Sequence, residues 1–198
     1  MTEDHLGFLR EHVIGEWVRE GPDLPIEFSR VSGGRRNRAL TLVIDRAHGQ
    51  QNRVWYIRSA RRDPRDAACD LRVREGTTTE NIGLVCLRQK LVQPGRDGDR
   101  DTSRTIEHWA QENEIDAVTW TDLRSNFKDK ELRKRSFSVE VAIEHLMGLP
   151  AEGQASAIEY VERLVPTEVT TPLRSALMAS SWWRSLLEEN RGSMGQGR

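Results

Sequence analysis

The chain has 198 residues, a formal net charge of −1 at pH 7 and a pI of about 6.5. That length allows a sizeable hydrophobic core in one domain, and the near-neutral charge gives no case for charge-driven binding to nucleic acid or to an anionic membrane. A polar N-terminus and the lack of any apolar run near ~20 residues argue against a signal peptide and a membrane span. Two cysteines, Cys69 and Cys86, make no disulfide framework, so we expect a soluble protein in a reducing, cytoplasmic setting.

The N-terminal third of the chain is predicted to contain a helix followed by strands. Apolar residues recur at three-to-four spacing over residues 3–20, which predicts an amphipathic helix. Residues 24–31 predict a first strand, and Pro25 would place it at the edge of a sheet. Residues 39–45, rich in β-branched and apolar residues, are the clearest strand in the chain.

The middle of the chain predicts a parallel arrangement. The short link from the 39–45 strand to a strand at 54–57 predicts an antiparallel hairpin. Asp63 as N-cap and Pro64 at the first position predict a helix over residues 64–75. By the usual right-handed crossover, the strand predicted at 82–87 would then run parallel to 54–57.

The fold class predicted from these elements is α/β, or α+β, with a single three-layer-like domain. A helix at about 103–113 precedes the short apolar strand at 116–120, which suggests a second parallel connection. The expected core is a four- to five-stranded mixed sheet within residues 1–135. Helices at 139–148, 150–164 and 172–188 would form a C-terminal helical lobe over 136–191, and residues 192–198 would be a disordered tail.

One edge of this sheet is the first candidate site, since ligands in open α/β sheets usually bind outside the carboxyl ends of the strands. The N-terminus of the 64–75 helix would add free N–H groups and a positive dipole end, which favour an anion. Asp122 and Ser59 are the predicted catalytic residues there. The alternative is that Asp122 caps a turn and the arginines are solvated surface charges. The predicted ligand-binding residues at this edge are Arg61, Arg62, Thr121 and Asn126, with Arg88 also nearby.

The opposite edge is the alternative site, built on Asp45, His48 and Glu75. An acid and an imidazole three residues apart are able to share a proton or a metal, but two ligands do not make a metal site. No metal is therefore predicted. The Thr77-Thr78-Thr79 run resembles a phosphate cradle, yet it follows a helix C-terminus, where the dipole opposes an anion.

Three functions remain open from the sequence. The first is an intracellular enzyme that binds a small anionic, phosphorylated or nucleotide-like ligand. The second is a non-catalytic interaction module that binds another protein or itself, with a homo-oligomer possible through the Trp182-Trp183 helix. The third is a nucleic-acid-binding protein that uses residues 30–62, which contain nine Arg and one acidic residue. No cofactor, substrate or reaction type is identified.

Overall fold

The computed structural model describes residues 7–33, 37–95, 100–128 and 135–195. They fold into two compact units, and both units are discontinuous in sequence. The sheet unit contains Thr2–Leu24 and Gln51–Leu123, and the helical unit contains Pro25–Gln50 and Arg124–Arg198. The helices that the sequence assigns to a C-terminal lobe therefore share a unit with the strands near residues 25–45.

Three small antiparallel sheets of two or three strands are present in the described residues, so the predicted four- to five-stranded mixed sheet is wrong and the fold is mixed α+β. The predicted parallel strands are instead antiparallel, with Cys86 opposite Ala117 and Ile82 opposite Thr121. The sheet unit pairs β1 (Val13–Val18) with β5 (Tyr56–Ser59), and it places β6 (Ile82–Cys86) between β7 (Leu91–Gln93) and β8 (Ala117–Thr121).

The remaining sheet has the order β3-β2-β4, in which β2 is Asp23–Val31, β3 is Leu40–Ile44 and β4 is Gln50–Arg53. The strand predicted at 39–45 therefore pairs with the preceding strand and not with 54–57. The edge position predicted for β2 is also wrong. Pro25 lies near the start of β2, where a residue that lacks an N–H is tolerated, and its carbonyl accepts the Asp45 N–H at 2.8 Å.

The helix predicted over 3–20 is wrong in its described part. A 3₁₀ helix runs over Gly7–His12, and β1 follows it directly. Gly15 has a φ of 76°, a left-handed conformation that interrupts a regular helix. The β-branched Val13 and Ile14 then pair with Ser59 and Arg58, so tertiary pairing overrides the helical spacing.

Helix α1 (Pro64–Glu75) confirms the Asp-Pro prediction. Asp63 caps it by accepting the Arg65 N–H, and Gly76 ends it with a φ of 59°. Helix α2 (Arg100–Glu112) buries Ile106 and Ala110.

The helical unit contains the other four α-helices of the described residues and one π-helix. The helix predicted at 172–188 is two helices, because Ser180 ends one in an extended conformation and its Oγ accepts the Trp183 N–H of the next. The tail predicted as disordered from residue 192 is helical to Gly195, and residues 196–198 lie outside the described part. The elements are α3 (Val139–Met147), α4 (Ala151–Ile158), a π-helix (Glu159–Leu164), α5 (Pro172–Ala179) and α6 (Ser181–Gly195).

The core of the helical unit is formed by fully buried side chains from β2, β3, α3, α5 and α6. Trp183 is completely buried, whereas Trp182 is half-buried. In the described ranges, no helix has the length and apolar character needed to cross a membrane. The largest buried apolar side chains of this core are Phe28, Leu40, Leu146, Leu173, Leu177 and Trp183.

Candidate functional site

Asp45 and His48, two members of the alternative site, lie together in the helical unit. His48 Nδ1 is 3.3 Å from both carboxylate oxygens of Asp45. The Asp45 side chain is 8% exposed and the His48 side chain is 42% exposed, so a buried carboxylate faces a partly solvated imidazole. The pair has the arrangement of a general acid–base dyad.

The turn after β3 builds this pair from local hydrogen bonds. Asp45 Oδ1 accepts the backbone N–H groups of Ala47 at 3.0 Å and His48 at 3.1 Å, as aspartate does in an Asx turn. Gly49 donates its N–H to the Asp45 carbonyl at 2.7 Å. A Cβ on Gly49 would overlap that carbonyl and the Ile26 backbone, so only glycine fits. The turn is therefore formed without any ligand.

Aromatic packing fixes the ring of His48. It packs edge-on against Phe137, with centroids 5.1 Å apart, and Phe137 packs in the same way against Phe127 at 5.3 Å. Phe127 also contacts the ring of His145 at 6.0 Å. His145 Nε2 in turn lies 2.8 Å from the Arg38 carbonyl. The hydrogen bonds of its own turn and the contact with a row of buried aromatic rings thus orient the imidazole of His48.

Glu27 is a fully buried carboxylate in the same unit. Its Oε1 accepts the Phe28 N–H at 2.7 Å and its Oε2 accepts the Leu173 N–H at 3.0 Å. Burial raises the pKa of Glu27, and the negative charge of Asp45 raises it further, while hydrogen bonds from Thr171 and the two backbone N–H groups lower it. Leu173 is in the first turn of α5. Glu27, a residue of β2, therefore accepts a backbone N–H that has no partner within that helix.

The arginine predicted to bind an anion, Arg61, is already paired within the sheet unit. Its Nε and Nη2 donate to the two oxygens of Asp70 at 2.6 Å and 2.9 Å. The Arg61 guanidinium lowers the pKa of the Asp70 carboxyl. Ser59 Oγ accepts the Arg61 N–H at 3.1 Å, and Arg62 is exposed. The N-terminus of α1 is capped by Asp63, which takes the place an anion would need.

Asp122 lies in a different neighbourhood from the one predicted. Its backbone N–H donates to the Asn81 carbonyl at 2.8 Å, and Asn81 Nδ2 donates to Thr77 Oγ1 at 2.7 Å. Asp122 and Asn81 are each 8% exposed. A Cβ on Gly95 would overlap the Asp122 side chain, so a glycine permits this close approach. The backbone of Asp122, the side-chain amide of Asn81 and the hydroxyl of Thr77 therefore lie together at this end of β8.

Antiparallel pairing is the reason for that neighbourhood. Thr121 is opposite Ile82, so the end of β8 lies beside the start of β6. Arg88, which was expected near Asp122, lies at the other end of the sheet, where its Nε donates to Asp116 at 2.8 Å. Ser59 belongs to the β1-β5 sheet, so no shared parallel edge joins it to Asp122.

Two further predicted residues have local partners. Asn126 binds the backbone of Val31 in the helical unit through both ends of its amide, at 2.8 Å and 2.9 Å. Glu75 belongs to the sheet unit and lies 3.7 Å from Arg74 Nε. Glu75 therefore belongs to a different unit from Asp45 and His48, with which it was grouped.

The arginines of segment 30–62 also make structural contacts. Arg30 Nη1 donates to the Arg124 carbonyl at 2.7 Å, and Arg53 Nη2 lies 3.3 Å from Asp23 Oδ2. Together with Arg61, which is paired with Asp70, three arginine side chains of this segment already bind carboxylates or carbonyls within the fold. Such pairing reduces the positive field available to a nucleic acid.

Sequence reasoning missed a hollow of about 220 Å³ between the π-helix and α6. The residue pattern over 150–164 is that of one amphipathic helix, so it contains no signal for the change to π geometry. The π-helix coincides with hydrogen bonds to backbone carbonyls from the side chain of one residue of α5. The buried Arg174 donates to the carbonyls of Pro166 at 2.6 Å, Val169 at 2.9 Å and Val165 at 3.1 Å, and to that of Val161. The hollow is lined by Ile158, Glu162, Arg163, Leu187, Asn190 and Arg191.

Over the described ranges, no three His, Cys, Asp or Glu side chains are grouped so that they hold a metal ion. Comparison with protein-family models, with curated proteins and with solved structures found no match to this chain.

Proposed function

We propose that this chain is a non-catalytic protein-interaction module that binds a partner at the hollow between the π-helix and α6. The observation that supports this proposal is the composition of the hollow, in which Ile158 and Leu187 lie among charged and polar residues. Protein interfaces combine an apolar centre with a polar rim in this way. Pockets for drug-sized ligands span ~300–1,000 Å³, so a hollow of about 220 Å³ suits one bulky side chain of a partner better than a whole cofactor.

The contacts of two predicted ligand-binding residues support the same class of function. Arg61 is held by Asp70, and Asn126 is held by the Val31 backbone. A side chain that is hydrogen-bonded within the fold must give up those bonds before it binds a ligand. These contacts therefore support a structural role for both side chains.

Selection of a displayed random-peptide library on the immobilised chain tests this proposal. We expect peptide enrichment that is lost on Leu187→Ser, because this change removes an apolar lining residue. Leu186→Ser is the matched control, since Leu186 is half-buried on the same helix but does not line the hollow. A melting curve of each variant separates lost binding from lost folding. Failure to enrich any peptide, or equal enrichment on both variants, would overturn the proposal.

A second candidate function is an enzyme that acts on a small anionic, phosphorylated or nucleotide-like ligand. The Asp45–His48 dyad favours it, because histidine is the side chain most often used for general acid–base catalysis and Asp45 holds this one in place. A thermal-shift screen of nucleotides and phosphosugars tests it, since a ligand at 100 times its Kd stabilises by about 2.7 kcal/mol. We expect His48→Gln to abolish a genuine shift. A screen without any hit would exclude this candidate.

A further inference from the structure

Two hydrogen bonds at the ends of β8 show which of its backbone groups face β6. Leu87 donates its N–H to the Asp116 carbonyl at 2.8 Å, and Asp122 donates its N–H to the Asn81 carbonyl at 2.8 Å. Residues of an antiparallel strand turn their backbone groups alternately toward one neighbour and away from it. The even-numbered residues from 116 to 122 therefore face β6, and the odd-numbered residues of β8 point their N–H and C=O groups to its outer edge. These outward residues are Ala117, Thr119 and Thr121.

That outer edge has no strand beside it in the described part of the chain, where β8 pairs with β6 alone. Every residue of the central strand β6 is buried, whereas four of the five residues of β8 are half-buried. Proteins usually protect an unpaired edge with a charged side chain, a proline or a bulge. The sequence Ala-Val-Thr-Trp-Thr contains no charge and no proline, and its pairing with β6 is regular throughout. The edge of β8 is therefore suited to receive a further strand.

We infer that β8 pairs with the same strand of a second copy of this chain, in antiparallel register about Thr119. In that register Thr119 lies opposite the partner subunit's Thr119, and Ala117 lies opposite the partner subunit's Thr121. Every outward N–H and C=O group of β8 then acquires a partner, because the outward residues are placed symmetrically about Thr119. The three strands from each copy form one continuous six-stranded antiparallel sheet. This surface belongs to the sheet unit, so the inference goes beyond the hollow of the helical unit.

The side chains at the edge favour a copy of the same strand. Threonines on adjacent antiparallel strands form favourable cross-strand pairs, and β8 has no charged residue that would meet its own copy. Just beyond the strand, Asp116 lies opposite the partner subunit's Asp122. Arg88 offsets the charge of Asp116, since its Nε donates to Oδ1 at 2.8 Å. The side chain of Asp122 is buried against Gly95, so two bare carboxylates do not face each other.

Analytical ultracentrifugation of the full chain over a range of concentrations tests the inference. We expect a dimer that dissociates on dilution, and a monomer for Thr119→Pro, because proline removes an outward N–H and leaves the hydrogen bonds to β6 in place. Thr119→Val is the matched control. It also loses the hydrogen bond from Thr119 Oγ1 to the Gly83 carbonyl at 2.9 Å, but it keeps the N–H and should remain dimeric.

Three results of this experiment overturn the inference. The first is a monomer at every concentration of the unchanged chain. The second is a dimer that persists in a folded Thr119→Pro variant, because the dimer then uses another surface. The third is equal loss of the dimer in Thr119→Pro and Thr119→Val. Melting curves of both variants show whether each is folded.

Hydrogen exchange of the unchanged chain gives a second measurement that does not require any variant to fold. The amides of Val118 and Trp120 already face β6, whereas those of Ala117, Thr119 and Thr121 meet solvent until a second copy binds. We expect protection of the three outward amides to increase with protein concentration much more than that of the other two. Protection that does not change with concentration, or that changes equally in both sets, contradicts the inference. If the chain stays monomeric and an extended peptide of unrelated sequence protects the outward amides, the edge binds a foreign strand and the second copy is wrong.

Discussion

Asn126 holds the backbone of Val31 with both ends of its side-chain amide. Its Oδ1 accepts the Val31 N–H at 2.8 Å, and its Nδ2 donates to the Val31 carbonyl at 2.9 Å. A primary amide presents an acceptor and donors much as a peptide group does, so it satisfies a strand residue on both sides. Val31 is 3% exposed, and water does not easily replace these bonds.

Asn126→Ala should therefore lower the free energy of unfolding by about 1–3 kcal/mol, because a buried donor and a buried acceptor lose their partner. Asn126→Asp should also destabilise, since a carboxylate accepts from the Val31 N–H but donates nothing to its carbonyl. Urea denaturation measures both changes, with Ser125→Ala as the neighbouring control. A stable Asn126→Ala variant that loses ligand binding would instead support the predicted ligand-binding role.

Glu27 should make stability depend on pH. Burial raises its pKa in the folded state above the ordinary value of 4.5, so the folded protein holds a proton that the unfolded chain releases. Its contribution is fully present below 4.5 and is lost as pH rises through the folded pKa. We expect urea midpoints to fall across that range. Asp45→Asn should weaken the dependence, because the Asp45 charge contributes to raising the pKa of Glu27. An unchanged slope would contradict this coupling.

The Arg61–Asp70 pair should act in the opposite pH direction. Arg61 lowers the pKa of Asp70 below its ordinary value of 3.8, so the stabilisation is present above 3.8 and is lost as pH falls through the folded pKa. Arg61→Gln should reduce stability at neutral pH and reduce its loss in acid. Acid titration followed by circular dichroism measures both. Arg62→Gln, which alters an exposed neighbour, is the control and should be nearly silent.

Asp122→Asn and Asp45→Asn together separate the functional hypotheses. Asn keeps the shape of Asp and caps turns about as well, but it removes the charge. An interaction module at the hollow predicts that neither change alters peptide binding. The dyad predicts that Asp45→Asn alone loses a nucleotide or phosphosugar response in thermal shift. Loss in Asp122→Asn alone would favour the Asp122 and Ser59 site predicted from the sequence.

Gly83→Ala should disrupt the β7-β6-β8 sheet. A Cβ at Gly83 would overlap the ring of Trp120, which lies opposite it on β8 and is 9% exposed. We expect a loss of about 1–3 kcal/mol from this overpacking, measured by urea denaturation. Gly33→Ala is the control, since nothing lies within 4 Å of its added methyl group. Equal stability of the two variants would show that Trp120 moves without cost.

Short-range chemistry explains the sequence predictions that hold. Asp63 and Gly76 bound α1 because a side-chain acceptor and a left-handed residue act on backbone groups a few positions away. Asp45 and His48 meet for the same reason, since one turn is enough to join them. The composition of β3, β6 and β8 also identified each of them as a strand.

Long-range contacts explain the predictions that fail. Asp70 holds Arg61 across nine positions, and no local pattern in the sequence distinguishes that arginine from the exposed Arg62. The π-helix accompanies the hydrogen bonds of Arg174 to carbonyls such as that of Val161, thirteen positions away. Such contacts depend on which surfaces pack together, and the residues between the two partners contain no pattern that predicts them.

By itself, the sequence determined where most helices and strands lie, and it offered Asp45 and His48 as an acid–imidazole pair of the alternative site. Only the tertiary structure decided which strands pair and in which direction. Asp122 therefore lies beside Asn81, whereas the sequence predicted that it would lie near Arg88. The physical reason is that propensity and capping act within one or two turns of the chain, whereas strand partners are chosen by burial and hydrogen bonding between distant segments. The hollow between the π-helix and α6 depends on that packing, so no single stretch of the sequence predicts it.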